Sequence, residues 1–173
     1  MAGMSKVNPN ADTNDFHGSA VSQHNSDDLL QAAIVEKFLS FFVSDAAVLY
    51  QAKGAGLGNG LCRELPRPLA ALQIENGRFP AVIAYSEQRN RLFLVEAVRD
   101  HIPIGEARLK ELQSLTRECH ADVVFVSAFL ERSAFANTEA EVAWGTVVWF
   151  ADEPGHMVHF DKFGSAGIQP KFI

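Results

Sequence analysis

The segment from Ala121 to Phe129 is almost continuously apolar and rich in β-branched side chains. A strand with one solvated face alternates apolar and polar residues, whereas a strand covered on both faces reads as an unbroken apolar run. The segment therefore predicts a central strand with helices on either side. Two further apolar runs, Ala81 to Tyr85 and Arg91 to Val98, are separated by polar residues 86–90, a pattern typical of a β-hairpin.

Helical periodicity flanks these strands. Ser26 is a good N-cap, and a first helix is predicted over roughly 27–43 from apolar side chains at helical spacing: Leu30, Ile34, Phe38 and Phe41. A second, amphipathic helix is predicted over 105–119. Short strands are expected at 46–50, 144–151 and 157–160. The order of helix, three strands, helix, strand and extra C-terminal strands predicts an α/β fold, with a mixed sheet flanked by helices.

The length of 173 residues predicts one domain with an extension, since domains of about 150 residues are common. Residues 1–26 are polar and carry few large apolar side chains, which predicts a disordered N-terminal tail and a folded domain over 27–173. The glycine-rich residues 51–68 lack both the dinucleotide-binding and the P-loop patterns, so we expect a mobile loop there, followed by a short helix over 68–75.

The formal net charge of -6 is the wrong sign for binding polyanions through bulk electrostatics. Nine of the fifteen lysines and arginines fall between residues 60 and 120, so a nucleic-acid contact would come from that segment. Cys62 and Cys119 lack metal or redox spacing and are expected to be core thiols of a cytoplasmic protein. Apolar stretches are too short or too interrupted to predict a signal peptide or a membrane partner.

Glu96 is the most informative residue of the chain, because the strand around it is otherwise apolar. A carboxylate in such a strand is costly unless it is paired or bound to a metal. Two interpretations stay open: an ion pair with an arginine of the middle third, or a metal ligand. His156 and His159 would point to opposite faces of a strand, so joint metal ligation by them is not expected. Trp144 and Trp149 are expected in the core.

Several segments, taken in their order and spacing, are similar to the catalytic C-terminal domain of the BsuBI/PstI family of type II restriction endonucleases. The resemblance covers roughly Glu36 to Gly164. The segments that carry it are Phe79-Pro80-Ala81-Val82-Ile83, Leu92-Phe93-Leu94-Val95-Glu96-Ala97-Val98 with His101, Val126-Ser127-Ala128-Phe129, Ala143-Trp144-Gly145-Thr146-Val147-Val148-Trp149 and His156-Met157-Val158-His159-Phe160.

The resemblance implies a restriction-endonuclease-like fold of the PD-(D/E)xK kind and Mg²⁺-dependent hydrolysis of phosphodiesters in double-stranded DNA. In such a site, carboxylates hold a hard cation that activates water and neutralises the charge developing on the phosphate. Glu96 matches the second acid of the family and is the catalytic and metal-binding residue that the resemblance transfers intact. Arg99, His101 and Arg108 lie where DNA phosphate contacts are expected.

The sequence departs from the family pattern at polar positions. Ala81 stands where the first acid should follow Pro80, and it has no oxygen to offer a metal. The other departures replace a lysine, two acidic residues and an aspartate of the family: Ala107, Gly145, Val147 and Lys53. A second carboxylate from Glu36 or Asp45 would rebuild a metal site beside Glu96.

These departures leave two hypotheses for function. The chain is a restriction or phage-defence nuclease with impaired catalysis that still meets DNA, or a pseudo-nuclease that serves as a DNA-binding or protein-binding regulatory subunit. An engineered Asp-to-Ala change at position 81 is a third explanation. A homodimer is expected if the target site is symmetric, because twofold symmetry matches a palindrome.

Overall fold

The computed structural model describes residue 26 and residues 28–52, 79–98 and 102–161. Helix α1 contains helical residues 28–33, a π-helical segment Ile34–Phe38 and an α-helical end Leu39–Phe42. The later elements are β1 (Ala47–Gln51), β2 (Val82–Ser86), β3 (Arg91–Ala97), α2 (Glu106–Leu115), β4 (Asp122–Phe129), α3 (Arg132–Phe135), β5 (Thr146–Phe150) and β6 (Met157–Phe160). The predicted order of helices and strands is confirmed.

The six strands form one mixed sheet in the sequential order β1 to β6. Strands β1, β2 and β3 pair antiparallel, β3, β4 and β5 pair parallel, and β6 returns antiparallel to β5. The predicted hairpin is β2 and β3, whose ends Ser86 and Arg91 face each other across the turn. Asn90 closes this turn with a φ of 47°, a left-handed conformation that asparagine tolerates better than most residues.

Strand β4 is apolar on both faces because each face has its own core. Val126 and Ala128 point into a cluster that α1 covers with Ile34 and Phe38. Phe125 points to the other face, into a cluster covered by the leucines of α2. A third cluster packs β5 against α3 through Phe129, Phe135 and Phe150. The sheet is therefore flanked by helices on both faces, as the unbroken apolar run predicts.

The core face of α1 differs from the prediction at its C-terminal end. Phe41 is 59% exposed, whereas Phe42 is buried. The reason is the π-helical segment Ile34–Phe38, because a π-turn contains about one residue more than an α-turn. After this segment, the residue that faces the core is one position later than predicted. Phe42 therefore packs against Phe38, with ring centroids 5.5 Å apart.

The prediction that Trp144 lies in the core is wrong. Trp144 is 52% exposed and contacts Phe160 with ring centroids 6.2 Å apart, whereas Trp149 is fully buried against Phe38. The difference arises because β5 begins only at Thr146. Gly145 bends the chain first with a φ of 84°, a conformation that glycine adopts without steric cost.

Other predicted segments lie wholly or mostly outside the described residues. Among them are most of the N-terminal tail over 1–26, the short helix over 68–75 and nearly all of the glycine-rich loop over 51–68. Gln51, predicted to begin that loop, instead ends β1. Within the ranges that the structure describes, no helix is long and apolar enough to cross a bilayer.

Candidate functional site

Glu96 occupies the C-terminal half of β3, on the face of the sheet that α2 covers. The parallel register places Glu96 beside Ser127 of β4. The buried Ser127 hydroxyl accepts a hydrogen bond of 2.9 Å from the backbone N–H of Ile104, which anchors the segment leading into α2. The crevice outside the carboxyl ends of parallel strands is a common place for functional residues in α/β folds. Glu96 therefore lies at a position suited to chemistry.

The Glu96 carboxylate is paired with Arg108 on α2. Arg108 Nε lies 2.7 Å from Glu96 Oε1, and Arg108 Nη2 lies 2.5 Å from the same oxygen. The Glu96 side chain is 21% exposed and the Arg108 side chain is 13% exposed, so the pair is largely removed from water. Charge-assisted hydrogen bonds of this length are roughly twice as strong as neutral ones. Of the two interpretations left open for Glu96, the ion pair is present.

Arg108 also contacts a second carboxylate. Its Nη1 lies 2.7 Å from Glu111 Oε2, on the same face of α2 one turn later. One guanidinium thus joins Glu96 on the sheet to Glu111 on the helix, and the three charges sum to -1. Glu111 was not among the predicted site residues. Its spacing of three residues from Arg108 indicates contact between the two, because such side chains are neighbours on a helix.

Ala81 lies immediately before β2, at the end of the hairpin that holds Glu96. Val82, the first residue of β2, pairs with Val95 of β3, so Ala81 lies just beyond the last paired position. The Ala81 methyl group is buried in the cluster on the α1 face, whereas Glu96 lies on the α2 face. The first acid of a two-acid hairpin site would stand at this position. The hairpin is present, and the side chain at position 81 is a buried methyl group.

The two acids expected to compensate for Ala81 lie elsewhere. Asp45 accepts a hydrogen bond from Ser86 Oγ at the turn end of the hairpin, the end away from Glu96. Glu36 is exposed on α1 and lines a groove with Asp152. The structure brings neither of them to Glu96.

Magnesium prefers octahedral oxygen coordination at about 2.0–2.1 Å, with one or two protein carboxylates and additional waters or phosphates. Within residues 28–52, 79–98 and 102–161, no group of three or more His, Cys, Asp or Glu residues is placed to hold a metal ion. Glu96 Oε1 already receives two N–H groups of Arg108. The described residues around Glu96 therefore do not fit a magnesium ion.

The remaining predicted site residues fall into two groups. Arg99, His101 and Lys53 lie outside the described residues. Ala107 is exposed on α2 immediately before Arg108, Gly145 precedes β5, and Val147 is buried within it. The structure describes Arg108, alone of the three predicted DNA-binding residues, and shows it engaged by carboxylates.

His156 and His159 are both exposed, one in the turn before β6 and one within the strand. His156 Nδ1 lies 3.7 Å from Glu153, and His159 pairs through its backbone with Val147. Cys119 packs partly buried against the α2 core, and burial raises the pKa of its thiol. A raised pKa lowers the thiolate fraction, so Cys119 is a poor nucleophile, as expected for a core thiol.

The order of the elements, the hairpin and the placement of Glu96 define a restriction-endonuclease-like α/β domain. The solved structure of SdaI restriction endonuclease matches this chain with a TM-score of 0.69 and 32% sequence identity, over 84% of this chain and 45% of that chain. Residues 16–163 match the BsuBI/PstI restriction endonuclease domain. The chain belongs to this family.

Two curated relatives give the scale of the similarity. The type II restriction enzyme BsuBI of Bacillus subtilis is 33% identical over 129 residues, which is 75% of this chain and 41% of that enzyme. The type II restriction enzyme AplI of Arthrospira platensis is 28% identical over 82 residues, which is 47% of this chain and 25% of that enzyme. The matched segments therefore cover less than half the length of each of these relatives.

Proposed function

We propose that this chain is a nuclease-fold protein of restriction-modification or phage defence in which Mg²⁺-dependent hydrolysis of DNA phosphodiesters is impaired. Membership of the BsuBI/PstI restriction endonuclease domain family supports the nuclease ancestry. The observation that carries the impairment is that position 81, immediately before β2, holds a buried alanine where the family resemblance expects the first acid. A methyl group supplies neither charge nor oxygen to a cation.

The cost of this change follows from what the metal contributes. A bound cation polarises the phosphoryl oxygens and lowers the pKa of water, and these effects together are worth several kcal/mol of transition-state stabilisation. Each loss of about 1.4 kcal/mol slows a reaction tenfold. With a single acid from the hairpin, and that acid neutralised by Arg108, we expect cleavage to fall by several orders of magnitude relative to a complete two-acid site.

The first test restores the missing acid. Purified wild-type protein and the Ala81→Asp variant are incubated with supercoiled plasmid and Mg²⁺ or Mn²⁺, and nicking and linearisation are followed on gels. We expect wild type to remain at the background of Glu96→Gln, and Ala81→Asp to gain at least about tenfold in metal-dependent cleavage. Ala136→Asp adds the same charge at an exposed position and should gain nothing.

Two outcomes count against the proposal. Wild-type cleavage that is rapid, metal-dependent and abolished by Glu96→Gln would show an intact enzyme. A gain in Ala81→Asp that persists in the double variant with Glu96→Gln would show that Glu96 does not hold the cation. Circular dichroism of each variant confirms that the buried aspartate leaves the fold intact, and the wild-type measurement stands independently of that control.

Contact with double-stranded DNA is the second part of the proposal. Arg99 and His101 are the proposed DNA-binding residues, because the guanidinium of Arg108, also predicted to contact DNA, is held by Glu96 and Glu111. A homodimer is the proposed assembly on a symmetric site. Each phosphate contact releases counterions, so the affinity should fall steeply as salt is raised. Fluorescence anisotropy with a labelled duplex at several salt concentrations measures the slope; affinity that does not change with salt contradicts the contact.

The alternative function is a pseudo-nuclease that acts as a regulatory or interaction subunit. A groove of about 420 Å³ between α1 and the loops after β4 and β5 favours it. Leu29 and Leu130 give this groove apolar walls, and Glu36, Glu131 and Asp152 outnumber Lys37 along it. This charge suits a basic protein segment better than nucleic acid. A repurposed scaffold should remain inactive after Ala81→Asp, which separates the alternative from the first proposal.

A further inference from the structure

The guanidinium of Arg108 lies where two carboxylates from different elements converge. It reaches Glu96 Oε1 through two nitrogens and Glu111 Oε2 through the third. Arg108 is the most enclosed of the three side chains, with 13% exposure against 21% for Glu96 and 57% for Glu111. Carboxylates that coordinate a metal ion converge on it in a similar way. Here the cation is the Arg108 side chain of the protein.

A guanidinium differs from a divalent metal ion in ways that matter here. It is charged at all pH values at which the protein is folded, and its planar set of N–H donors matches carboxylate oxygens. A magnesium ion would first have to lose part of its hydration shell, which it does reluctantly. Arg108 is also tethered through α2, so its effective concentration beside Glu96 exceeds that of a dilute ion in solution.

We propose that Arg108 is a fixed internal cation between Glu96 and Glu111, and that its charge keeps metal ions out of the space between these two carboxylates. This inference rests on the proposed loss of metal-dependent catalysis. It assigns Arg108 a role that the family resemblance does not: the guanidinium stabilises the β3–α2 contact without any ion from solution. Stability of the folded chain should therefore be independent of Mg²⁺.

The test measures thermal unfolding of the full chain without DNA, in EDTA and in increasing Mg²⁺ or Mn²⁺. Wild type should show the same Tm in each solution. Arg108→Met removes the charge and leaves two carboxylates facing each other, so its Tm in EDTA should fall. Added cation should then raise its Tm by about 3 to 6 °C at roughly ten times the dissociation constant, because a ligand that binds only the folded state stabilises it.

Arg132→Met is the matched control. Arg132 also forms a carboxylate pair, with Nη1 2.6 Å from Glu153, but both side chains are substantially exposed. This variant has the same change in net charge and should show no cation-dependent rise in Tm beyond that of wild type. The double variant Arg108→Met with Glu96→Gln should lose the cation response, since one carboxylate is then neutral.

Arg108→Lys keeps the experiment decisive if Arg108→Met does not fold. Lysine retains a positive charge, so its Tm should remain insensitive to Mg²⁺. A wild-type Tm that rises with Mg²⁺, or an Arg108→Met response no larger than that of Arg132→Met, overturns the inference. The Tm measurements use no DNA and leave Ala81 unchanged, so their outcomes are distinguishable from the cleavage results.

Discussion

The two ends of the β2–β3 hairpin each hold one carboxylate beside one arginine, but they do so differently. At the turn end, Asp45 accepts a hydrogen bond from the buried hydroxyl of Ser86, and Arg89 Nε is 3.9 Å away. At the other end, Glu96 is held directly by Arg108 at 2.5 and 2.7 Å. Asp45 is stabilised mainly by a hydrogen bond from a neutral hydroxyl, and Glu96 by a full positive charge from another element.

The comparison indicates which end of the hairpin has the stronger electrostatic interaction. Arg89 is 40% exposed, so water screens its attraction to Asp45, whereas Arg108 is 13% exposed and is screened less. Arg89 Nη1 also donates a hydrogen bond to the backbone carbonyl of Phe42, 3.2 Å away. The turn end depends mainly on hydrogen bonds, and the Glu96 end depends on the ion pairs of Arg108.

The largest expected effect is at the Glu96 end. Glu96→Gln removes the carboxylate that two nitrogens of Arg108 contact, and we expect a loss of about 1 to 3 kcal/mol in the free energy of unfolding, below the value for fully buried pairs. Asp45→Asn should cost about 1 kcal/mol, because an amide oxygen still accepts the Ser86 hydrogen bond. Urea unfolding measures both. Equal losses at the two ends would show that the pairs are equivalent.

A smaller effect is expected from Ser86→Ala at the turn end. The change removes the hydroxyl that donates to Asp45 and accepts 3.2 Å from the backbone N–H of Arg89. We expect a loss of about 1 to 2 kcal/mol, because partly buried polar groups lose a partner. Ser133→Ala removes an exposed hydroxyl that donates to Glu131, and it should cost less than about 0.5 kcal/mol. A Ser86 effect as small as the control would contradict a hydrogen-bonded turn.

The smallest effect concerns the pH dependence of Tyr85, whose hydroxyl donates 2.9 Å to Asn90 Oδ1. Burial raises the pKa of Tyr85, and the Glu87 carboxylate raises it further. The folded pKa then exceeds the unfolded value, so the contribution of Tyr85 to stability is present below about pH 10 and is lost as pH rises through the folded pKa.

The variant Tyr85→Phe isolates this effect. It should cost about 0.5 to 1 kcal/mol at neutral pH, the value of one hydrogen bond. Above about pH 10 the difference in stability between wild type and Tyr85→Phe should shrink, since ionised tyrosine cannot donate. Urea unfolding at a series of pH values measures the difference. A constant difference up to high pH would place the Tyr85 hydroxyl in water.

Much of the fold was predictable because its signals are local. The hairpin followed from two apolar runs around a polar turn, and β4 from its unbroken apolar stretch. The orientation of Phe41 was not predictable, because a π-turn inside α1 displaces the pattern without a break in the helix. Trp144 was misassigned because its environment depends on where β6 pairs with β5 rather than on its own neighbours.

Glu96, the central residue of the candidate site, was predictable from the sequence, but the residues that contact it were less so. Glu96 stood out as a charge in an apolar strand, and an arginine partner from the middle third was among the expectations. Choosing Arg108 required the packing of α2 on the sheet, which no local pattern encodes. Glu111 escaped notice because a glutamate on a helix surface is ordinary until its neighbour is known to face the sheet.

The π-turn in α1 has a consequence for transferring residues from one relative to another. A helix with one additional residue in a π-turn can keep the segments before and after that turn packed on the core. Every residue after the turn is then offset by one position from its counterpart in a relative with a regular helix. Equivalence along α1 must then be assigned in two blocks, before Ile34 and after Phe38. An ungapped match through this helix would pair side chains that face in different directions, however similar the letters.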